Sequence, residues 1–436
     1  MSIRSNKKVL YSAALGQFVE WYDFVVYAYS ATVIAKLFFP TSDPTTGLLS
    51  ALAVYGVGFV MRPLGGFIFG SLGDRFGRKA ILAGIILSMG ASTLLIGLLP
   101  TYAQIGIWAP IFLVLLRLVQ GLSASGETVG SNSFVAEHAP PGRRGLHVAL
   151  TYSFANLPPV FAALLILLLT QLMGEATYEA WGWRIPFILG GPMALVGLYI
   201  RTKVDESPMF QKAQAAKQVS RSPIRDALHG HRKQMAFSFC LAAFSSLAFY
   251  TLSGYFVSYL TASVGMSRSD ALIANSIAMI VAFFTMILGG YLSDRVGRKP
   301  MLLAGLLFNA CISIPAYMLA SRATLPSAIV AQTLLAVGMG LFSGPVGIAL
   351  LELFPTRTRF SASAISYNLA YTIFGGTAPF LGAWLVLKTG SLLAPAGYMA
   401  IVSVAVLAVC LFLPETSRRA MTDHDDTEPQ RPAPAL

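Results

Sequence analysis

"GSLGDRFGRKAIL" at Gly70–Leu82 returns 220 residues later as "GYLSDRVGRKPML" at Gly290–Leu302, and both fit G-x-L-x-D-R-x-G-R-K-x-x-L. A second pair repeats at an offset of 215: Glu137 in "FVAEHAPPGRRG" and Glu352 in "ALLELFPTRTRF". Asn156–Pro159 ("NLPP") and Gly375–Pro379 ("GGTAP") again stand one repeat apart. The chain is therefore two copies of one unit. Whatever the first loop joins, the second loop joins again.

Composition says what is joined. Of 436 residues, 55% are hydrophobic and only 11% charged, against about 25% charged in a soluble domain. Apolar runs of the roughly 20 residues a bilayer requires follow one another almost to the C-terminus. Twelve spans are expected, starting near Val9, Leu48, Ala80, Ile105, His147 and Arg184 in one half. Those of the other half start near Gln234, Ala271, Met301, Leu325, Ser361 and Ala396. The fold class is an all-α polytopic membrane protein with two six-helix pseudo-repeats, at 1–200 and 234–415. A polar cytoplasmic loop at 201–233 joins them, and the acidic, Pro-rich tail at 416–436 is expected to be disordered.

With the N-terminus cytoplasmic, 24 of the 31 Lys and Arg residues fall on the cytoplasmic side, which fixes both termini there. The net charge of +12 is spread over short loops rather than gathered on one face, which excludes a nucleic-acid surface. Cys240, Cys311 and Cys410 lie in apolar runs and read as small hydrophobes. The N-terminus imitates a signal peptide, but its apolar stretch continues to spanning length and reads as a retained first helix. Duplicated halves whose fifth and eleventh spans carry Pro or Gly at matching positions point to a transporter with its site between the halves.

The first span, "GQFVEWYDFVVYAYSATVIAKLFF" (Gly16–Phe39), carries Glu20 and Asp23 at its middle. Glu127 and Arg117 in the fourth span and Arg62 in the second complete the ionisable set inside the membrane. At about 2.5–3.5 kcal/mol each, five lipid-facing charges would forfeit roughly 12–18 kcal/mol, so they must face a cavity or one another. Gln17, Glu20, Asp23 and Tyr27 share one helical face. The repeat maps Arg117 onto Gln332 and Glu127 onto Phe342, and "EWYD" roughly onto "AFYT" (Ala248–Thr251). Ionisable chemistry is thus confined to the first half. Tyr250, Tyr255, Gln332 and Asn368 are the uncharged partners offered by the second.

The D-R-x-G-R-K loops and "RLVQG" (Arg117–Gly121) resemble the major facilitator superfamily. "VEWYDF", "FVMRPLGG", "GLSASGE", "WGWRIPF" and "DESPMF" more narrowly resemble the metabolite:proton symporter family. The resemblance implies a bacterial inner-membrane symporter working by alternating access, for 2-oxoglutarate, citrate, shikimate, proline or betaine. It also implies that Asp74, Arg75 and Arg78, with Asp294, Arg295 and Arg298, latch the halves on the cytoplasmic side. A tight, positively charged turn is the alternative reading of those loops.

The expected function is proton-coupled import of a small organic carboxylate. Arg117 and Arg62 would hold the substrate carboxylate bidentately, among Tyr22, Gln120, Asn156 and Gln332. Asp23 or Glu127 would exchange the proton, with Glu20 third. Static ion pairs stapling the first, second and fourth spans remain the other reading. The alternative substrate is a zwitterionic osmolyte such as proline or betaine, whose ammonium would rest on Trp21, Tyr22 and Tyr27. Against it, the resemblance implies an extended C-terminal coiled coil in the osmolyte branch, and no heptads follow Pro414. Two interior Arg residues disfavour a drug-efflux antiporter. A non-transporting receptor would need a soluble signalling domain.

"GLSASGET" (Gly121–Thr128) has P-loop glycine spacing but Glu127 where Lys is required. The five His residues have no metal-ligand spacing, and no nucleophile constellation suggests an enzyme. Expected partners are the carboxylate, protons and the bilayer, with no nucleic acid. No cofactor is needed beyond the proton gradient, and a monomer is expected.

Overall fold

The computed structural model of the chain describes residues 3–65, 68, 78–124, 132, 135–136, 139–140, 142–202, 231–354 and 356–417. Among these, all regular structure is helical. The first half contributes α1 (Ile3–Tyr29), α2 (Pro44–Gly65), α3 (Arg78–Leu98), α4 (Trp108–Ser123), α5 (Arg144–Met173) and α6 (Arg184–Thr202). The second contributes α7 (Arg232–Ser263), α8 (Arg268–Val296), α9 (Arg298–Ala320), α10 (Leu325–Glu352), α11 (Ala362–Thr389) and α12 (Ala394–Cys410). Starts differ from the sequence expectation by a few residues, because caps and charged first turns extend beyond the apolar run. Asp43 accepts from the Thr45 and Thr46 amides to begin α2, and Ser267 accepts from the Asp270 amide to begin α8.

The fold is held by close helix contact rather than by hydrophobic transfer, since lipid is as apolar as the core. α2 and α4 cross at Gly58 and Gly121, where a Cβ on Gly121 would lie 1.5 Å from the Gly58 carbonyl oxygen. That crossing presses Arg117 against α2. Within the second half, α8 packs on α10 and α9 on both α10 and α12. The halves meet along α5 against α8 and α10, α2 against α11, and α1 against α7. At the first of these, a Cβ on Gly290 would meet Ala149 Cβ at 2.2 Å and the Gly145 carbonyl oxygen at 2.7 Å.

The expected breaks in the fifth and eleventh spans are present. α5 contains a 3₁₀ turn at Phe154–Asn156, and α11 a π-helical turn at Tyr371–Gly375. α7 holds two further π-helical turns, Thr251–Tyr255 and Tyr259–Ser263. Tighter 3₁₀ turns and wider π turns both re-aim side chains, and π turns recur at functional sites. All these breaks except Tyr259–Ser263 border the seam between the halves described next.

Candidate functional site

The seam is walled by aromatic rings from both halves. Trp21 of α1 packs against Phe249 and Tyr250 of α7 at centroid distances of 4.7 and 5.6 Å, and against Tyr371 of α11 at 6.2 Å. The repeat-related segments of the first and seventh spans thus face each other. Gln17 accepts a hydrogen bond from the Trp21 indole N–H at 2.9 Å, one helical turn away, and fixes the ring plane. Phe59 of α2 meets Tyr250 edge-on at 4.9 Å. Tyr367 stacks on Tyr371 at 3.9 Å, and the Tyr371 hydroxyl makes a short hydrogen bond with Tyr152 of α5.

Arg62 enters this wall as a buried cation, 1% exposed. Its guanidinium lies 4.6 Å from both the Phe24 and Phe59 rings and 6.0 Å from Trp21. Its Nε and Nη2 have no hydrogen-bond partner among the described residues. Buried donors left unpaired cost about 1–3 kcal/mol, more when charged, so this edge is a place for an anion. Glu20, also buried, lies near Arg62, Tyr152, Tyr250 and Tyr367 and so belongs to the same wall.

Arg117 has a different environment. Its Nη1 donates to Gln120 Oε1 at 2.9 Å, its Nη2 donates to the Tyr55 carbonyl at 3.1 Å, and its plane lies over the Tyr27 ring at 4.5 Å. Gln120 Nε2 donates to Thr93 Oγ1 at 2.6 Å, and Thr93 adjoins the Asp23 carboxyl group. Asp23, 2% exposed, has Oδ2 unpartnered. The result is a polar chain from Arg117 through Gln120 and Thr93 to Asp23, inside the first half and set back from the seam.

The remaining expected residues separate. Tyr22 donates to the Pro186 carbonyl at 2.8 Å and points into the first half. Asn156 donates to the Ser153 carbonyl and lines a cavity of about 10 Å³ with Trp21, Tyr152, Phe249 and Ser343, barely the room one water needs. Gln332 accepts from Asn275 Nδ2 at 2.7 Å, and Asn275 also makes a short hydrogen bond with Tyr29. Glu127, Asp74 and Arg75, and the Arg78 side chain, lie outside the described residues.

On the cytoplasmic side Asp294 accepts from the Gly145 and Leu146 amides at 2.9 and 2.8 Å, across the seam at the first turn of α5. Arg298 bridges Asp294 at 2.7 Å and Glu352 at 3.3 Å. Arg295 instead lies over Tyr291. Two partners escaped the sequence reading. Thr416 donates to Glu352 at 2.7 Å, and Glu415 accepts from the Arg298 and Lys299 amides at the start of α9. Partial burial pushes the Glu415 carboxyl up. The Ser417, Arg298 and Lys299 amides outweigh it and hold the carboxyl below its ordinary range. On the outer side Arg268 donates to the Tyr29 carbonyl at 2.8 Å and covers the Tyr178 ring. Contacts thus join the halves at both ends of the seam.

Comparison with known proteins places this geometry. A family model described as sugar (and other) transporter matches residues 9–426. The chain belongs to that family, within the major facilitator superfamily. A glycine betaine/proline/ectoine/pipecolic acid transporter of Dickeya dadantii is 37% identical over 95% of this chain and 84% of its own length. A proline/betaine transporter of Escherichia coli K12 is 36% identical over 95% and 85%. An inner membrane metabolite transport protein of the same strain is 36% identical over 96% of each chain. Among solved structures, the partially occluded inward-open xylose transporter of E. coli superimposes with a TM-score of 0.76 at 19% identity, covering 96% of this chain and 100% of that one. The twelve-helix fold and a multi-pass location in the bacterial inner membrane follow. This family member is a transporter.

Proposed function

We propose that this chain is a proton symporter importing a small zwitterionic solute of the proline or betaine type. The observation that carries the reading is Arg62, one buried guanidinium with an unpaired donor edge, set in a wall of aromatic faces. Such a pair of features suits a solute with one carboxylate and one ammonium, the second resting on ring faces. A di- or tricarboxylate would bring two or three negative charges to the middle of a seam that offers Arg62 beside the Glu20 carboxyl group, while Arg268 and Arg298 are engaged at its two ends. Arg117 gives Nη1 to Gln120 and Nη2 to the Tyr55 carbonyl, which leaves its Nε without a partner among the described residues. The zwitterion alternative of the sequence reading therefore takes precedence over carboxylate import, and the names of the 36–37% identical relatives support the same choice.

The proton is assigned to Asp23. Asp23 is a buried carboxyl group with one oxygen unpartnered among the described residues, and the hydrogen-bonded run from Arg117 through Gln120 ends at Thr93 beside it. Rearrangement of the seam can change these surroundings, which is how proton and solute movement become linked. Glu20, beside Arg62, is the second candidate. No cofactor enters the cycle.

The test is uptake into proteoliposomes under an inside-alkaline gradient, with proline, glycine betaine, 2-oxoglutarate, citrate and shikimate, with and without a protonophore. Protonophore-sensitive accumulation of proline or betaine, lost in Arg62→Gln, is expected. Accumulation of an acid alone would overturn the reading.

A further inference from the structure

We infer that Tyr152 is a proton relay: its hydroxyl, with a water site on either side, carries a proton from Glu20 to the cytoplasm while the seam is still closed. This inference rests on the proton-symport reading above and adds the route by which the proton leaves.

Tyr152 lines two cavities of about 10 Å³ each and is the residue common to both. The inner one, described above, is bounded on α10 by Met339 and Ser343. The other is bounded there by Gly347, Leu350 and Leu351, about two turns nearer the cytoplasmic end of α10 at Glu352. Each has room for one water, which needs about two to four polar partners. Around the inner site stand Tyr152, the hydrogen-bonded hydroxyls of Ser245 and Ser343, and Asn156 Oδ1, which has no partner among the described residues. Around the cytoplasmic site stand Tyr152 again, Ser363, the Tyr367 hydroxyl and Asn132 Oδ1, the last two unpartnered among the described residues. Hydroxyls buried at this level of an apolar seam are costly unless they hold something.

These sites lie on the way from α1 to the cytoplasm. α1 begins on the cytoplasmic side, so Glu20 stands one turn, about 4.5 Å along the axis, nearer the cytoplasm than Asp23. Glu20 lies near Asp23 on one side and near Tyr152 and Tyr367 on the other, and Trp21 beside it lines the inner cavity. A phenol both accepts and donates. The Glu20 carboxyl group gives its proton to the inner water, and that water donates one to the Tyr152 oxygen. Tyr152 gives its own to the second water, which releases one to the cytoplasm. One O–H bond forms for each that breaks, Tyr152 ends neutral, and Glu20 alone gains a negative charge. The hydrogen bond between Tyr152 and Tyr371 of the opposite half holds the hydroxyl between the two sites. Parting the halves breaks that bond, but bulk water then enters and no relay is needed. The proton therefore leaves before the solute.

The experiment compares two rates in proteoliposomes loaded with a pH-sensitive dye. One is proton uptake driven by an inward gradient of proline or glycine betaine. The other is counterflow of the same labelled solute, which exchanges solute with the proton retained and does not use the relay. Tyr152→Phe, which keeps the ring and removes the hydroxyl, should lower the ratio of proton uptake to counterflow by at least about tenfold. Asn132→Leu, which removes a polar wall of the cytoplasmic site, should lower it in the same direction. A ratio unchanged in Tyr152→Phe overturns the relay and leaves the symport reading standing, with the proton leaving through the opened seam. An equal fall in both rates makes Tyr152 a structural contact and also overturns the relay. Should Tyr152→Phe fail to insert, Asn132→Leu decides by the same ratio. Wild-type counterflow without proton uptake, or no transport of either solute, overturns the proposed function and the relay with it.

Discussion

Replacing Asp294 by alanine tests how the cytoplasmic side is held shut. The carboxylate accepts two backbone N–H groups from the first turn of α5, at 2.9 and 2.8 Å, and these are its contacts across the seam. Hydrogen bonds to a charged acceptor contribute about 1.5–3 kcal/mol each, and a carboxylate at a helix N-terminus gains about 0.3–1 kcal/mol from the dipole. Water at the membrane edge recovers part of this when the contact breaks. A shift of about 2 kcal/mol toward the cytoplasm-open state is therefore a working minimum, close to a 30-fold change in the ratio of states. Arg298 keeps Glu352 and Ser293 in the variant, so the second half stays intact. Ser363, buried in the seam beside Tyr367, reports the opening when changed to Cys in a background without Cys240, Cys311 and Cys410. Its labelling rate by a membrane-impermeant maleimide from the cytoplasmic side should rise at least tenfold in Asp294→Ala. Asp294→Asn, which keeps one acceptor oxygen, should fall between the two. Equal labelling in all three proteins would refute the latch and reduce the D-R-x-G-R-K loop to a charged turn.

Asp23→Asn should abolish accumulation driven by a pH gradient while leaving solute counterflow measurable, because a neutral side chain there cannot return a proton. Loss of both, with normal insertion, would make Asp23 a structural residue. Arg268→Gln removes a charge-assisted bond of about 1.5–3 kcal/mol at the outer end. Periplasmic labelling of Asn275→Cys should therefore accelerate, and unchanged labelling would dismiss this contact as a gate. Glu415 titrates below its ordinary range in the folded chain, so its stabilisation is present above the ordinary carboxylate range and lost as pH falls through the depressed value. Thermal unfolding of the purified protein should weaken over that acid window, and Glu415→Gln should flatten the dependence. An identical acid limb in the variant would sink this assignment.

The spans were legible because a bilayer imposes one period and one length, and the duplication was legible because both loops kept Asp, Arg and Gly in register. The sequence favours Arg117 over Arg62 as the substrate cation; it registers the cost of a buried charge but not the direction its side chain takes. What separated them is the α2–α4 crossing at Gly58 and Gly121, which turns Arg117 onto Gln120 and the Tyr55 carbonyl. Tyr250 was anticipated as a partner, and Phe249 stood in the segment aligned with "EWYD". Tyr371 and Tyr152 were not anticipated, because among 17 Tyr and 28 Phe residues in an apolar chain an aromatic carries no signal by itself. Thr416 and Glu415 were missed for a similar reason: a short polar stretch after the last span reads as tail until its contacts with α9 and α10 are visible.

The asymmetry between the halves has a mechanical meaning. Asp23, Arg117 and Gln120 lie on helices that pack on one another within the first half, while the solute wall is shared by both halves. Tyr55 ties the two together. Its carbonyl accepts from Arg117, and its ring approaches Tyr250 across the seam at 6.2 Å. Any movement of α7 that closes the wall on a solute also presses on Tyr55, and through Arg117 and Gln120 on the surroundings of Asp23. Coupling then needs no contact between proton and solute. It needs α2 to move with the wall, which makes Tyr55 the residue whose shortening to leucine should preserve solute binding and weaken proton dependence.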